Sequence, residues 1–422
     1  MRAVLYLGFI VAVLVSLVIA DHHGDHGKKG EHKDDHSKKG DHHHPQHHST
    51  ETLACHKIAP GNTKLAFNLF RQMTTDHPSE NIVISPLSIS TALALLSLGA
   101  KANTHDQIIH GMSFNLSETS EKEIHDGFHH LLDMLNDADS ELHLDSGNAL
   151  FISQNWKILD QFLDDAKNQY RSEAFSVDFH QNEEAKKQIN SYVEKKTNSK
   201  IPEAVSSVDK DAAMLLLNFI YFRGKWQSPF EEKFTVEKDF HVDDQKTVKV
   251  PFMSKTSFYQ VAFLEDATMV SIPYKGNGSA LFILPKEGKM KEVEADLLGA
   301  VYKFKQQAEK DLLRLQLPKF SASGSVDLKE ALSKLGITDM FSDAADLSGI
   351  TGAPNLKISK ALHKAKLSID EKGTEAAAVT VMEAIPMRLP PSVVFDHPFI
   401  GIIYSHLTRT SIFMFKVVNP TI

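Results

Sequence analysis

Cysteine is nearly absent from this chain of 422 residues, which contains only Cys55. A single thiol excludes a disulfide within the chain. Positive charge is also scarce relative to negative charge: the formal net charge is −8, which argues against a nucleic-acid partner as the main function. The G-x-S-x-G motif of hydrolases and spaced metal-binding motifs are missing as well. A hydrolase is therefore a remote alternative; we predict a protein that is not an enzyme and needs no cofactor.

No apolar run approaches the length of a membrane span except at the amino end. Residues 1–20 contain one basic residue, Arg2, and then an almost wholly apolar run that ends before Asp21. This pattern is typical of a cleaved secretory signal peptide. A membrane anchor is the alternative, because the run is close to the lower length limit for a span, but no basic stop-transfer flank follows it. We expect a secreted, extracellular, soluble protein without a membrane partner.

Residues 21–50 form a low-complexity segment in which ten of the thirty residues are histidine. Apolar side chains are almost absent, so burial cannot offset the entropy cost of ordering, and we predict a disordered tail. Clustered imidazoles can bind Zn²⁺ or Cu²⁺, and below about pH 6.5 they gain positive charge that would attract a polyanion. The alternative is a solvated spacer, and the irregular spacing predicts no firm metal site. The histidines that would bind a metal weakly are His42, His43, His44, His47 and His48.

Cys55 lies at the border between this tail and the rest of the chain. A lone thiol in a secreted chain often forms a mixed disulfide with an external partner. The alternative is a free thiol half buried beside the first helix, and the sequence does not separate the two.

Apolar residues recur at helical spacing in several segments and form short β-rich runs in others. The predicted helices are Thr63–Met73, Leu87–Leu98, Glu121–Leu135, Leu159–Tyr170 and Glu183–Lys196. The predicted strands are Asn148–Gln154, Ala213–Phe222 and Ala280–Leu284, with a hairpin over Phe240–Met253 that turns at Asp243-Asp244-Gln245. The helix Leu87–Leu98 is apolar on nearly all faces, so it must be buried centrally.

The stretch from Glu371 to Pro398, EKGTEAAAVTVMEAIPMRLPPSVVFDHP, has the composition of an exposed bait loop. Side chains alternate between the two faces of an extended strand. One face is uncharged and mostly small, and it carries Thr374, Ala376, Ala378, Thr380, Met382 and Ala384. Glu375 and Glu383 fall on the other face, which can stay hydrated. The first half of the stretch could therefore enter a crowded sheet, whereas the prolines of the second half remove ladder donors.

This stretch resembles the reactive-centre loop of the serpin family, most closely the antitrypsin branch of the plasma serpins. Two further segments match serpin signatures: NIVISPLSISTALALLSLGAKANTHDQI from Asn81 and NFIYFRGKWQSPF from Asn218. The resemblance implies an α+β fold of mixed α/β character over residues 51–422, with three β-sheets, about nine helices and an exposed reactive-centre loop at residues 371–392. It also implies a protein of the blood plasma.

In the family, a serine protease cleaves the exposed loop, the freed arm inserts into the main sheet and the acylated protease is trapped. Counting as the family counts, the resemblance places Met387 before the cleaved bond and Arg388 after it. Met387 suits the apolar pocket of elastase-like or chymotrypsin-like proteases, whereas a trypsin-like enzyme could cut after Arg388. The alternative function is that of a non-inhibitory serpin, acting as a plasma carrier or as a partner-binding protein.

The resemblance also assigns roles to individual residues. The opening point of the main sheet, called the shutter, corresponds to Ser85, Ser88, Asn218 and His363. Glu371 and Lys319 correspond to a salt bridge at the top of the loop's hinge. The hinge itself comprises Glu371, Gly373, Thr374, Glu375, Ala376, Ala377 and Ala378.

Three other positions carry predictions of their own. Asn115 and Asn277 begin Asn-x-Ser sequons and would accept N-glycans in a secreted chain. Phe415 stands where the family usually has glycine. A large ring in a buried strand requires that space be made elsewhere.

Overall fold

The computed structural model describes residues 53–136, 142–372 and 390–422. Within these ranges the chain forms ten α-helices, two short 3₁₀ helices and fourteen β-strands. The helices are α1 Ala54–Asp76, α2 Pro86–Gly99, α3 Ala102–Gly111, α4 Glu121–Leu135, α5 Asp160–Tyr170, α6 Asn182–Lys196, α7 Met290–Ala295, α8 Leu297–Gln307, α9 Leu328–Lys334 and α10 Ser348–Thr351. The strands are β1 Ile82–Ile84, β2 Leu142–Ser153, β3 Glu173–Val177, β4 Met214–Gly224, β5 Val236–His241, β6 Thr247–Phe263, β7 Ala267–Pro273, β8 Gly278–Pro285, β9 Glu309–Pro318, β10 Phe320–Asp327, β11 Lys360–Ile369, β12 Ser392–Val394, β13 Phe399–Ser405 and β14 Thr410–Val417.

Most predicted elements are confirmed. The bounds of α4 agree with the prediction. Those of α5 and α6 differ from it by one residue at the amino end, and those of α2 by one residue at each end. The three predicted strands correspond to β2, β4 and β8. The predicted hairpin joins β5 to β6, and at its turn the Val242 N–H donates to the Lys246 carbonyl at 2.8 Å.

The first helix departs from the prediction, because α1 begins at Ala54 rather than at Thr63. It continues through Pro60 and Gly61. The backbone of Gly61 lies directly against the ring of Phe114, where a Cβ atom would overlap that ring. This close approach explains why glycine occurs inside the helix despite its low helix propensity.

Hydrogen bonding joins the described strands into two sheets rather than the three that the family resemblance implied. The larger sheet has nine strands in the order β1-β14-β13-β8-β7-β6-β9-β12, with β5 also paired to β6. Strand β6 is 17 residues long, and it pairs with β5, β7 and β9 along different parts of its length. This long strand therefore joins, in one hydrogen-bonded sheet, strands that the resemblance assigned to separate sheets.

The smaller sheet has five strands in the order β10-β11-β4-β2-β3. Its two central strands, β11 and β4, pair in parallel from Lys360 opposite Leu215 to Leu367 opposite Phe222. On either side of them, β10 pairs antiparallel to β11 and β2 pairs antiparallel to β4. Strand β11 ends only three residues before Lys372, where the described part of this region ends.

Helix α2 lies between the two sheets, in contact with β14 on one side and with β4 and β2 on the other. Ser85 caps its amino end by accepting a hydrogen bond from the Ser88 N–H, and Pro86 occupies the first turn. All of its residues except Leu98 are buried, as predicted for a helix that is apolar on nearly all faces. None of the helices within the three described ranges is long and apolar enough to cross a membrane.

Helix α6 covers the opposite face of the five-stranded sheet. Its buried side chains Ala185, Ile189 and Val193 belong to the same apolar cluster as Leu217 of β4 and Leu362 of β11. The segment that returns from α6 to β4 contributes Ala204 and Val205 to this cluster. Strand β4 is therefore covered on one face by α2 and on the other by α6 with its return segment.

Candidate functional site

Several predicted functional residues lie outside the described ranges. These are the residues of the bait bond, Met387 and Arg388, the hinge residues from Gly373 to Ala378, and the histidine cluster from His42 to His48. The predicted signal peptide and tail, residues 1–50, lie outside them as well. The structure does describe the loop anchor at Glu371 and the centre of the five-stranded sheet.

A buried polar cluster crosses the centre of that sheet. His363 of β11 lies directly opposite Asn218 of β4, which in turn lies directly opposite Asn148 of β2. His363 and Asn218 are fully buried, and Asn148 is 6% exposed. Buried polar groups are destabilising unless they are paired, so their hydrogen bonds determine what this cluster can do.

The hydrogen bonds of His363 define its tautomer. The backbone N–H of Ser85 donates to His363 Nε2 at 3.0 Å, so Nε2 is the unprotonated nitrogen. His363 Nδ1 must then carry the proton, which it donates to Oδ1 of Asn218. Burial lowers the pKa of His363 from its ordinary value of 6.5 to about 3, so the ring is neutral at physiological pH.

Asn218 extends the network to the neighbouring strand and to α2. Its Nδ2 donates to the Ser88 carbonyl at 3.0 Å, to Ser88 Oγ at 2.6 Å and to Asn148 Oδ1 at 2.5 Å. One side chain thus connects β11, β4, β2 and the first turn of α2. The structure brings together all four predicted shutter residues, Ser85, Ser88, Asn218 and His363.

Sequence reasoning missed Asn148. It is the first residue of the predicted strand Asn148–Gln154, and it could have been noticed as a polar residue beside an apolar run. Its pairing with Asn218 depends on the strand register, which local sequence does not reveal.

The second part of the site is the anchor at the end of β11. Lys319 Nζ lies 2.8 Å from Oε2 of Glu371, and Thr235 Oγ1 donates to Oε1 at 2.8 Å. The Glu371 carbonyl accepts from the Phe230 N–H at 2.9 Å. Burial raises the pKa of Glu371, but the hydrogen bonds from Lys319 and Thr235 outweigh it and hold this pKa below its ordinary value.

The predicted partners Glu371 and Lys319 are therefore in contact, and the pair is asymmetric in its exposure. The Glu371 side chain is only 5% exposed, whereas that of Lys319 is 45% exposed. Sequence reasoning missed Thr235 and also Trp226, whose Nε1 donates to the Asp370 carbonyl at 2.9 Å. These contacts fix the chain at the point where the predicted loop begins.

Cys55 is fully buried in α1, and its Sγ lies 3.9 Å from Sδ of Met134. Burial raises the pKa of its thiol to about 11, which disfavours the thiolate needed for disulfide exchange. Cys55 is thus fully buried within the first helix, not half buried beside it as predicted. A mixed disulfide would require the start of α1 to open.

The two sequon asparagines are both exposed. Oδ1 of Asn115 accepts from the Ser117 N–H at 3.1 Å and from Ser117 Oγ at 2.8 Å. Asn277 lies at the turn before β8, and the hydroxyl of Ser279 bonds to Nε2 of His406 at 3.0 Å. Their exposure is compatible with glycans at both positions, and glycosylation stays a prediction.

Metal binding is not supported within the part of the chain that the structure describes, because no group of three or more His, Cys, Asp or Glu side chains there could hold an ion. The tail histidines are outside this part, so the predicted weak metal or polyanion binding is not tested.

Comparison with known proteins gives matches over most of the chain. The family model described as serpin, serine protease inhibitor, matches residues 60–420. An alpha-1-antiproteinase of Callosciurus caniceps is 50% identical over 371 residues, which are 87% of this chain and 90% of that protein. An alpha-1-antitrypsin of Sus scrofa is 47% identical over 381 residues, which are 90% of each chain.

Solved structures show the same architecture. Human thyroxine-binding globulin complexed with thyroxine matches with a TM-score of 0.82 and 40% identity, over 87% of this chain and 99% of that one. Human glycosylated kallistatin matches with a TM-score of 0.81 and 40% identity, over the same shares. With a family match that spans most of its length and relatives about half identical to it, this chain belongs to the serpin family.

Proposed function

We propose that this protein is a secreted inhibitor of serine proteases that acts as a suicide substrate, with the bond between Met387 and Arg388 as its bait. One observation carries the proposal above others. The central strands β11 and β4 of the five-stranded sheet are parallel and directly adjacent, and the bait segment continues from the end of β11. The names of the antiproteinase and antitrypsin relatives support the same activity.

The topology allows the bait segment to enter the sheet. A segment that turns back after Glu371 runs antiparallel to β11, and because β4 is parallel to β11 it also runs antiparallel to β4. Antiparallel pairing on both sides would replace one parallel pairing. The 15 residues 373–387, which end at the cleaved bond, can extend to about 50 Å, whereas the ten residues of β11 span about 33 Å. The segment is long enough to cross the sheet.

Insertion would supply the energy for trapping. The protease's serine Oγ attacks the carbonyl carbon of Met387, the bond to the Arg388 nitrogen breaks, and the released amine takes up a proton. Met387 is then held to the protease as an acyl ester. Inserting residues from Thr374 onward forms new ladder hydrogen bonds and carries the attached protease along the sheet, and the chain itself supplies no catalytic group.

The side chain of Met387 favours elastase-like and chymotrypsin-like targets. Arg388 also permits a trypsin-like enzyme to cut one residue later. That cut lengthens the inserted arm by one residue and reverses the face on which its end lies, so we expect less efficient trapping there.

Incubation with pancreatic elastase, chymotrypsin and trypsin tests this function. Complexes that survive boiling in detergent are expected, and mass spectrometry of the released fragment should find Arg388 at its amino end. A fragment that begins at Leu389 would make the protein trypsin-directed. Cleavage without any stable complex would contradict the inhibitory function.

We also propose that the chain is secreted into plasma after removal of residues 1–20 and is glycosylated at Asn115 and Asn277. The signal-like amino end and the exposure of both asparagines support this proposal. Mass spectrometry of the secreted protein, before and after removal of N-glycans, tests both parts. We propose two further properties of the protein: weak binding of a metal or polyanion by the tail, and a mixed disulfide at Cys55. The same secreted protein can be used to test both.

Carriage of a small ligand is a second candidate function, because one structural relative is a thyroxine-binding globulin complexed with thyroxine. Calorimetric titration with thyroxine tests it directly. Binding in the micromolar range or tighter, together with cleavage that gives no stable complex, would favour the carrier function over inhibition.

A further inference from the structure

Two large apolar side chains are exposed where the 3₁₀ helix Glu232–Phe234 leads into β5. Phe234 is 50% exposed and Val236 is 49% exposed. They flank Thr235, the residue that donates to Glu371 at the loop anchor. We call Phe234 and Val236 the β5 apolar pair.

The β5 apolar pair lies between the two ends of the bait segment. On one side, the hydroxyl of Thr235 lies 2.8 Å from Oε1 of Glu371, before the segment. On the other side, Lys238 of β5 bonds to the side chain of Gln316. Gln316 Nε2 in turn donates to Ser392 Oγ at 3.1 Å, after the segment. A protease bound to residues between these ends must approach the surface that carries Phe234 and Val236.

Packing within the chain does not explain why these side chains are apolar. Val236, Lys238 and Phe240 alternate onto one face of β5, and along this face Phe240 is fully buried, Lys238 is half-buried and Val236 is exposed. Lys238 separates the exposed Val236 from the buried Phe240, so Val236 lies outside the core and contributes little to folding. Adjacent exposed apolar side chains are more typical of a contact surface.

The charges around the pair are balanced locally. Lys233, whose Nζ lies 4.9 Å from the centre of the Phe234 ring, also lies 2.6 Å from the Glu231 carboxylate. Lys372 lies 3.4 Å from the Glu232 carboxylate. A partner at this surface would therefore meet a nearly neutral apolar patch, and its binding should respond little to salt.

We propose that the β5 apolar pair is a docking surface for the protease that cleaves the bait segment, a role that rests on the protease inhibition proposed above. The pair contacts apolar side chains on the rim of the protease, outside its substrate cleft. It accelerates attack on the intact protein without changing the chemistry at the cleaved bond. The partner it fits has an exposed apolar surface loop beside its active-site cleft.

The double variant Phe234→Ser, Val236→Thr tests this surface, and Phe263→Ser is the matched control. Phe263 is 58% exposed and lies on β6 eleven residues beyond Phe252, the residue opposite Val236, which is about 36 Å of strand. The second-order rate of loop cleavage is measured with elastase and chymotrypsin, together with the yield of detergent-stable complex. A synthetic peptide of residues 371–392 serves as a substrate that lacks the docking surface.

We expect the double variant to be attacked about tenfold more slowly by at least one protease, as for the loss of a small apolar contact. The control should keep the wild-type rate. Raising the salt concentration should leave the difference in rate between the double variant and the wild-type protein unchanged. The single variant Phe234→Leu should keep most of the wild-type rate. An unchanged thermal unfolding midpoint in the double variant would show that the fold is intact.

Cleavage and trapping are read separately, so the two proposals can fail separately. A double variant that is cleaved and trapped at the wild-type rate by both proteases would overturn the docking surface and leave inhibition standing. Slower cleavage of the double variant without any trapped complex would keep the docking surface and overturn inhibition. If neither protease cleaves the wild-type loop, both proposals fail.

Discussion

Gly401 of β13 lies directly opposite Phe415 of β14, and a Cβ atom on Gly401 would overlap the Phe415 ring. The ring is fully buried, with the rings of Phe320 and Phe282 centred 6.1 and 6.2 Å away. The large side chain at 415 thus has its space from a glycine on the neighbouring strand. The sequence predicted that the Phe415 ring would need space made elsewhere. The absence of a side chain at Gly401, on the paired strand, provides that space.

The first prediction concerns this pair. Gly401→Ala should lower the free energy of unfolding by about 1–3 kcal/mol, because an added methyl group overpacks a full core. In the double variant Gly401→Ala, Phe415→Leu the two effects should not be additive, since the smaller side chain relieves the overlap. Urea unfolding of the two single variants and the double variant measures this coupling. Wild-type stability in Gly401→Ala would contradict the packing described here.

The second prediction concerns acid stability at the sheet centre. The folded pKa of His363 is about 3 and its ordinary value is 6.5, so between these values the unfolded chain binds a proton that the folded chain does not. Above pH 6.5 His363 therefore does not make the free energy of unfolding depend on pH. As the pH falls from 6.5 toward 3, its burial should cost about 1.4 kcal/mol of stability per pH unit.

Urea unfolding between pH 7.5 and pH 5 checks this sign. The variant His363→Gln is the control, because it cannot take up a proton at this position. We expect the wild-type protein to lose about 2 kcal/mol more than the variant between pH 6.5 and pH 5. Curves that stay parallel would show that His363 does not titrate as its burial requires.

The third prediction concerns Asn190, which connects α6 to its return segment. Its Oδ1 accepts from the N–H groups of Ala204 at 2.8 Å and Val205 at 2.9 Å, and its Nδ2 donates to the Val205 carbonyl at 2.9 Å. Asn190→Ala leaves these groups without this partner, so it should cost about 1–3 kcal/mol locally. Hydrogen exchange should become faster in residues 197–213.

Asn190→Asp is the matched control for this change. A carboxylate keeps both acceptor bonds and loses only the donor bond to Val205. Exchange in residues 197–213 should therefore rise less than in Asn190→Ala. Equal exchange in all three proteins would mean that Asn190 does not hold the return segment.

The fourth prediction separates cleavage of the loop from its insertion. Thr374→Arg should leave cleavage by elastase intact and abolish the detergent-stable complex, because a charge would have to enter the sheet first. Glu375→Arg is the matched control, since strand alternation predicts that residue 375 would fall on the hydrated face of the inserted segment. Efficient trapping by Thr374→Arg, or loss of trapping in both variants, would contradict insertion with the predicted face inward.

The sequence predicted the family, five of the ten described helices and the four residues that meet at the sheet centre, because long periodic segments and family motifs lie within continuous stretches. It did not predict Asn148, Thr235 or Asn190. Each acts through a partner on another element, and such contacts depend on strand register and helix placement, which local residue patterns do not encode. For the same reason it did not predict that β6 joins sheets expected to be separate, because this joining depends on pairing between strands that are distant in the chain.

The link between His363 and Asn218 has a consequence for any strand that enters between β11 and β4. Separating the two strands breaks this link, and a buried polar group left unpaired costs about 1–3 kcal/mol. Thr380 is predicted to share a face with Thr374. It follows Lys372 by eight residues, whereas His363 precedes Lys372 by nine. A segment that folds back near Lys372 would bring the Thr380 hydroxyl to about the depth of His363. The sheet centre would then discriminate among incoming strands by hydrogen bonding as well as by size, and a loop with an alkyl side chain at 380 would insert less favourably.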